Sequence, residues 1–352
     1  MDPTYPGAEW ERVDPGRAGV DPDRLLDGRA HLEDPSVEDD PRAGRFDGEN
    51  PYRAVVVRGG RVVAEWNRGL EADERVQLAS ATKSVFATLL GVAVEEGMLP
   101  AVDARLADHF PAALDVLPGE GPKEGRHARR KDREITLAQL AANTSGYLKP
   151  GEPPGEVKHY QTFGMNVLAH AVAETYGMYD VADPEGSPGL PLLMDTRLRA
   201  PMRGSWGYYA MNFDHPEGAK TANFGYYPGI EATALDMARL GWLWCNYGEW
   251  DGERLAPADW LREATAPVSA EREEDPEKDM LEGYGYGFWT NREGALWPSL
   301  PERSFAARGA GGMVIWVCPP LDLVVVEGPG PFYYGEMDEY LFPAVVDAVE
   351  QG

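Results

Sequence analysis

The sequence predicts an α/β fold of the α+β kind: an antiparallel sheet formed by N- and C-terminal segments, flanked by helices, with a mainly helical region inserted. Three observations point there. Arg53-Ala54-Val55-Val56-Val57-Arg58 and Arg61-Val62-Val63-Ala64-Glu65-Trp66 are β-runs joined by Gly59-Gly60, a strong hairpin signal. Near the other end, Met313-Val314-Ile315-Trp316-Val317-Cys318 and Leu323-Val324-Val325-Val326 flank Pro319-Pro320-Leu321-Asp322. Between the two pairs the apolar residues recur at helical spacing, so the sheet draws its strands from both ends of the chain. The expected organisation is an N-terminal arm at 1–50, a sheet domain made of 51–97 and 284–352, and an inserted helical region at 98–283.

The arm is rich in Asp, Pro, Gly and Arg, is expected to lie on the main body, and holds one helical candidate at 22–32. After the first hairpin, Val85, Phe86, Leu89, Leu90, Val92 and Ala93 keep a helical period and Gly97 follows as a stop. That predicts a buried helix beginning near Ser80. Residues 98–135 read as loops, with a solvated charged run at 123–134. A short helix at 136–142 ends at Asn143-Thr144-Ser145-Gly146, and a longer one at 163–176 buries Val167, Leu168, Ala171 and Val172. The stretch 200–230 reads as loop-rich. Thr233 is placed to cap a helix running to about residue 247, with Leu235, Met237, Leu240, Trp242 and Leu243 packed inward. Residues 257–265 add a helix with Trp260 and Leu261; the run 284–289 leads into a loop, and a helix at 340–349 follows the second hairpin.

At 352 residues the chain can bury a substantial core, and ten tryptophans with sixteen tyrosines speak against disorder. The formal charge of -26 argues against nucleic acid or an anionic membrane as partner. Only seven of the 33 basic residues are lysines, and such an acidic surface suits either a high-salt cytoplasm or a GC-rich genome. Cys245 and Cys318 each sit in an apolar run, which predicts two buried free thiols and no bridge. The six histidines show no metal-ligand spacing. The first residues are polar and acidic, without a positive flank or apolar core; no secretory signal is read, and a cytoplasmic protein is expected.

Chemistry is concentrated in Ala79-Ser80-Ala81-Thr82-Lys83. Helix positions i and i+3 share a face, so the Lys83 amine can fold back onto the Ser80 hydroxyl. A lysine held on an apolar helix loses its proton more readily, and a neutral amine beside a hydroxyl is a general base beside a nucleophile. The helix N-terminus favours negative charge developing near Ser80.

Further segments recur around this helix: Thr136-Leu137-Ala138-Gln139-Leu140 to Thr144-Ser145-Gly146, then residues 229–239 (Gly-Ile-Glu-Ala-Thr-Ala-Leu-Asp-Met-Ala-Arg), then Phe305-Ala306-Ala307-Arg308-Gly309-Ala310-Gly311-Gly312. Together with the Ser-x-x-Lys helix they resemble the serine β-lactamase and penicillin-binding-protein superfamily over roughly residues 50–350. The likeness is to its class C β-lactamase side, which includes esterases and 6-aminohexanoate-dimer hydrolases, and it implies a β-lactamase/transpeptidase-like fold. The resemblance makes Tyr160, in Tyr160-Gln161-Thr162, the second proton carrier, held as a phenolate near a lysine ammonium. Thr162 stands where the family's Tyr-x-Asn motif has Asn. It also aligns Ala307-Arg308-Gly309 with the Lys-Thr-Gly strand, so that Ala307 takes the lysine position.

The resemblance implies a serine hydrolase that cleaves an ester or amide through an acyl-enzyme. Ser80, Lys83 and Tyr160 are its expected catalytic residues, the backbone N–H groups of Ser80 and Ala310 its oxyanion hole, and Thr162, Arg308, Gly309 and Gly311 its substrate contacts. No cofactor or metal is implied; the partner is a small ester, amide or β-lactam-like molecule. Ala307 argues against efficient β-lactam hydrolysis unless Arg308 turns inward. The alternatives are a true β-lactamase or D-alanyl-D-alanine carboxypeptidase and, in another class, a catalytically silent protein binding peptide or peptidoglycan fragments.

Overall fold

Residues 3–33, 51–270, 272–273, 283–330 and 341–349 are described in a computed structural model. Helix α1 (Pro22–Glu33) precedes the first hairpin, in which β1 (Tyr52–Arg58) turns through Gly59 and Gly60 into β2 (Arg61–Arg68). Both glycines have positive φ, the conformation this tight turn requires. A short strand β3 (Val76–Gln77) leads to the buried helix α2 (Thr82–Glu95). The middle of the chain contains α3 (Leu106–His109), α4 (Leu137–Ala141), β4 (Val157–Lys158), α5 (Thr162–Thr175) and α6 (Gly189–Met194). Next come β5 (Gly207–Asn212), α7 (Thr221–Phe224), β6 (Tyr226–Ala232) and α8 (Ala234–Cys245), which the Thr233 side chain caps at the Asp236 N–H. After β7 (Glu249–Trp250), β8 (Glu253–Arg254), α9 (Ala258–Ala264) and β9 (Arg272–Glu273), the chain returns to the main sheet. It does so through β10 (Trp289–Thr290), β11 (Phe305–Gly309), β12 (Met313–Cys318) and β13 (Leu323–Glu327), and α10 (Leu341–Ala348) follows. Tyr340, the expected first residue of that helix, lies outside the described residues.

The main sheet has six strands in the order β10-β11-β12-β13-β1-β2, all antiparallel, and the two ends of the chain meet where Ala54 pairs with Glu327. Its strands read as continuous apolar runs because both faces are covered. Val55, Val57, Ala307, Ile315 and Val324 pack towards α2 and α8, while Ala54, Val56, Ala306, Trp316 and Val325 pack towards α1 and α10. Cys245 and Cys318 are buried free thiols. Residues 10–13 pack on the body: the Val13 N–H donates to the Val62 carbonyl at 3.0 Å, the Val62 N–H to the Glu11 carbonyl at 2.9 Å, and Trp10 is buried with its indole N–H donating to the Leu235 carbonyl at 3.2 Å.

Stretch 200–230 departs from the sequence reading. It contains the β5–β6 hairpin, which with β3 makes a second sheet in the order β3-β6-β5. Pro228 and Gly229 speak against a strand in sequence. They are tolerated here because β3 pairs only with Glu231 and Ala232, leaving Pro228 where β6 has a neighbour on one side. Among the described residues no helix is long and apolar enough to cross a membrane.

Candidate active site

Ser80 is the middle residue of a 3-10 turn, Ala79–Ala81, that runs directly into α2. Its neighbour Ala79 has a left-handed φ of 45°, which costs an alanine on the order of 1–2 kcal/mol. The second sheet holds that conformation. The Tyr227 hydroxyl donates to the Ala79 carbonyl, the Leu78 N–H donates to the Ile230 carbonyl at 2.8 Å, and the Ile230 N–H donates to Thr82 Oγ1 at 3.2 Å. No side chain caps α2, so the Ser80 hydroxyl is not engaged as a helix cap.

The wall opposite is β11. Gly309 closes on the same turn so tightly that a Cβ would collide with the Leu78 carbonyl oxygen and lie 3.0 Å from the Ala81 nitrogen; only glycine fits. Ala310 follows at the exposed end of this strand, and Gly311 and Gly312, both at positive φ, turn the chain into β12. Gly312 packs directly on the Gly330 backbone.

Lys83, one turn along α2, is 1% exposed. Its Nζ lies 2.7 Å from Ser80 Oγ, 2.9 Å from the Tyr160 hydroxyl and 3.1 Å from Thr162 Oγ1. Burial pulls its pKa down to about 7, so the amine is substantially neutral at neutral pH and can accept a proton from the hydroxyl beside it. The Tyr160 ring is stacked on Trp289 at 6.0 Å and meets Tyr284 edge-on at 5.8 Å. Burial pushes its hydroxyl up to about 12, with the contact to Ser80 opposing. The pair therefore favours a neutral amine and a neutral phenol over the ammonium and phenolate expected from sequence, because burial penalises both charges at once.

Thr162, the first residue of α5, joins the cluster through its hydroxyl. Ala307 and Arg308 point to opposite faces of β11. Ala307 enters the core beneath α2, while the Arg308 guanidinium sits 5.8 Å from the Trp289 ring, on the face it shares with Val314 and Glu327. Arg308 thus adjoins the cluster through Trp289, whose ring backs Tyr160. Sequence reasoning gave no role to Ala79, Trp289 or Tyr284. A left-handed φ leaves no trace in an alanine, and the aromatic contacts form across long chain separations.

The fold is of the β-lactamase and transpeptidase type. The Beta-lactamase family model matches residues 52–326, and the chain belongs to that family. It is 24% identical over 300 residues to a 6-aminohexanoate-dimer hydrolase of Paenarthrobacter ureafaciens, a match covering 78% of this chain and 71% of that protein. Among solved structures it is similar to a penicillin-binding protein homologue from Caulobacter crescentus, with a TM-score of 0.66 at 17% identity over 94% of this chain and 99% of that one. It is also similar to a family VIII carboxylesterase, with a TM-score of 0.64 at 14% identity and the same coverage of each chain.

Proposed function

We propose that the protein hydrolyses a small-molecule ester or amide through an acyl-enzyme on Ser80. The observation that carries this reading is the Lys83 amine, buried, held near neutrality and 2.7 Å from Ser80 Oγ. Ser80 Oγ attacks the substrate carbonyl as its proton passes to Lys83 Nζ. The oxyanion that forms is met by the backbone N–H groups of Ser80 and Ala310. Tyr160 gives its phenolic proton to the leaving group and regains one from the Lys83 ammonium 2.9 Å away. Water then attacks the acyl-enzyme with the same groups in reverse. The names of the relatives, a 6-aminohexanoate-dimer hydrolase and a carboxylesterase, support an ester or amide substrate. Ala307 in place of a lysine, with Arg308 on the other face of the strand, favours this branch over β-lactams.

The test compares p-nitrophenyl butyrate, nitrocefin and a D-alanyl p-nitroanilide, with Ser80→Ala as control and fluorophosphonate labelling as a count of reactive serines. Ester or anilide turnover that disappears in folded Ser80→Ala is expected. Turnover retained in that variant would move the nucleophile elsewhere, and fast nitrocefin cleavage would make the protein a β-lactamase. Absent labelling in the folded wild type would favour a silent binding protein.

A further inference from the structure

The segment Asn143-Thr144-Ser145-Gly146, at the end of α4, wraps the backbone around Tyr160. Asn143 is 1% exposed and left-handed, with φ 58°. Its carbonyl accepts the His159 N–H at 2.8 Å, and its side-chain Oδ1 accepts the Gln161 N–H at 2.9 Å. One buried residue therefore holds the N–H groups of the residues on both sides of Tyr160. The hold is braced, because the Gln161 side chain bonds Ser145 Oγ at 3.3 Å and the Thr144 carbonyl accepts the Gly155 N–H at 2.8 Å. The residue type follows from these demands. Asn, Asp and Gly enter the left-handed region at little cost, and of these only Asn and Asp carry an acceptor that reaches the Gln161 N–H.

From this we infer that Asn143 is a positioning residue, fixing the Tyr160 phenol relative to Lys83 Nζ and so setting the rate of proton transfer between them. The inference rests on the reading of Tyr160 as a proton carrier. Displacements of about 1 Å in such groups can cost on the order of a hundredfold in rate. Asn143→Gly keeps the left-handed turn and the carbonyl bond to His159 while deleting the Oδ1 bond. Asn143→Asp restores an acceptor at the same reach.

The experiment measures kcat and KM on p-nitrophenyl butyrate, and fluorophosphonate labelling rates, which stay measurable in slow variants. Asn143→Gly should lower kcat by roughly ten- to a hundredfold with KM within about threefold. Asn143→Asp, which restores the acceptor but buries a carboxyl in place of the amide that contacts Tyr284, should recover part of the kcat lost in Asn143→Gly. In a Tyr160→Phe background, Asn143→Gly should have no further effect on labelling. Wild-type kcat in folded Asn143→Gly, or an undiminished loss in the Tyr160→Phe background, would overturn the inference and leave the role of Tyr160 standing. Wild-type kcat in Tyr160→Phe alone would instead sink the proton role of Tyr160. Should Asn143→Gly fail to fold, Ser145→Ala, which removes the brace on the Gln161 side chain without touching the left-handed turn, replaces it, with a smaller loss of kcat expected and again no further effect on labelling in the Tyr160→Phe background.

Discussion

Lys83 shows what burial does to one side chain. With its pKa held at about 7, the acid limb of the kcat/KM profile should rise through about pH 7, and Lys83→Ala should slow acylation severely and erase that limb. An unchanged profile in that variant would remove Lys83 from proton transfer. The same shift has a stability sign. Between about 7 and 10.5 the unfolded chain binds a proton that the folded protein lacks, so the Lys83 contribution to stability rises with pH across that window. Glu327 works in the opposite sense. Its fully buried carboxyl is raised from 4.5 to about 8 by burial, with Arg308 opposing. The stability it contributes is complete below 4.5 and is lost as pH rises through about 8. Glu327→Gln should therefore gain stability relative to wild type at pH 8 by a few kcal/mol, on the order of the pKa shift, and little at pH 4.5. Equal differences in thermal midpoint at the two pH values would contradict this. Of these residues, the adjacency of Ser80 and Lys83 followed from spacing, because helix geometry sets positions i and i+3 side by side, while a catalytic role for them was expected only through the family likeness. Tyr160 was reachable only through a family likeness, since 77 residues separate it from Lys83.

At the scale of elements, the 3-10 turn bearing Ser80 is pinned between β6 on one side and the end of β11 on the other. Gly309 is the point of closest approach, and the atom it faces is a backbone carbonyl that cannot swing aside. Gly309→Ala should cost about 1–3 kcal/mol in denaturant unfolding. In the protein that still folds, it should slow fluorophosphonate labelling by more than tenfold. Retained labelling would mean that β11 does not hold the turn. The two main hairpins were legible because a turn (Gly59-Gly60 in one, Pro319-Pro320-Leu321-Asp322 in the other) with an apolar run on each side is a local signal. The β5–β6 hairpin was not, because its partner strand and the neighbours that tolerate Pro228 come from elsewhere in the fold.

The whole molecule is tied together by its N-terminal arm. The buried Arg239 guanidinium donates to the carbonyls of Gly7, Ala8 and Met202 at 2.8, 3.0 and 2.8 Å, and the Trp242 indole donates to the Thr4 carbonyl at 2.9 Å. Arg239→Ala would leave those carbonyls without a donor and should cost about 2–5 kcal/mol, with proteolytic cleavage of the arm preceding global unfolding. An unchanged thermal midpoint would show that the arm contributes nothing to the body. Arg239 as an anchor for Gly7 and Ala8 was not legible in the sequence, since it reads as one more polar residue of a helix. The pairing of β1 with β13 bears on how the protein is made. The inner strand of the first hairpin is translated long before its partner, because Ala54 pairs with Glu327. Until β13 is made, Val55, Val56 and Val57 form an unmatched apolar edge, the kind that recruits other nascent chains. Yield in a host cell should accordingly follow translation speed and chaperone supply more closely than the stability of the finished molecule.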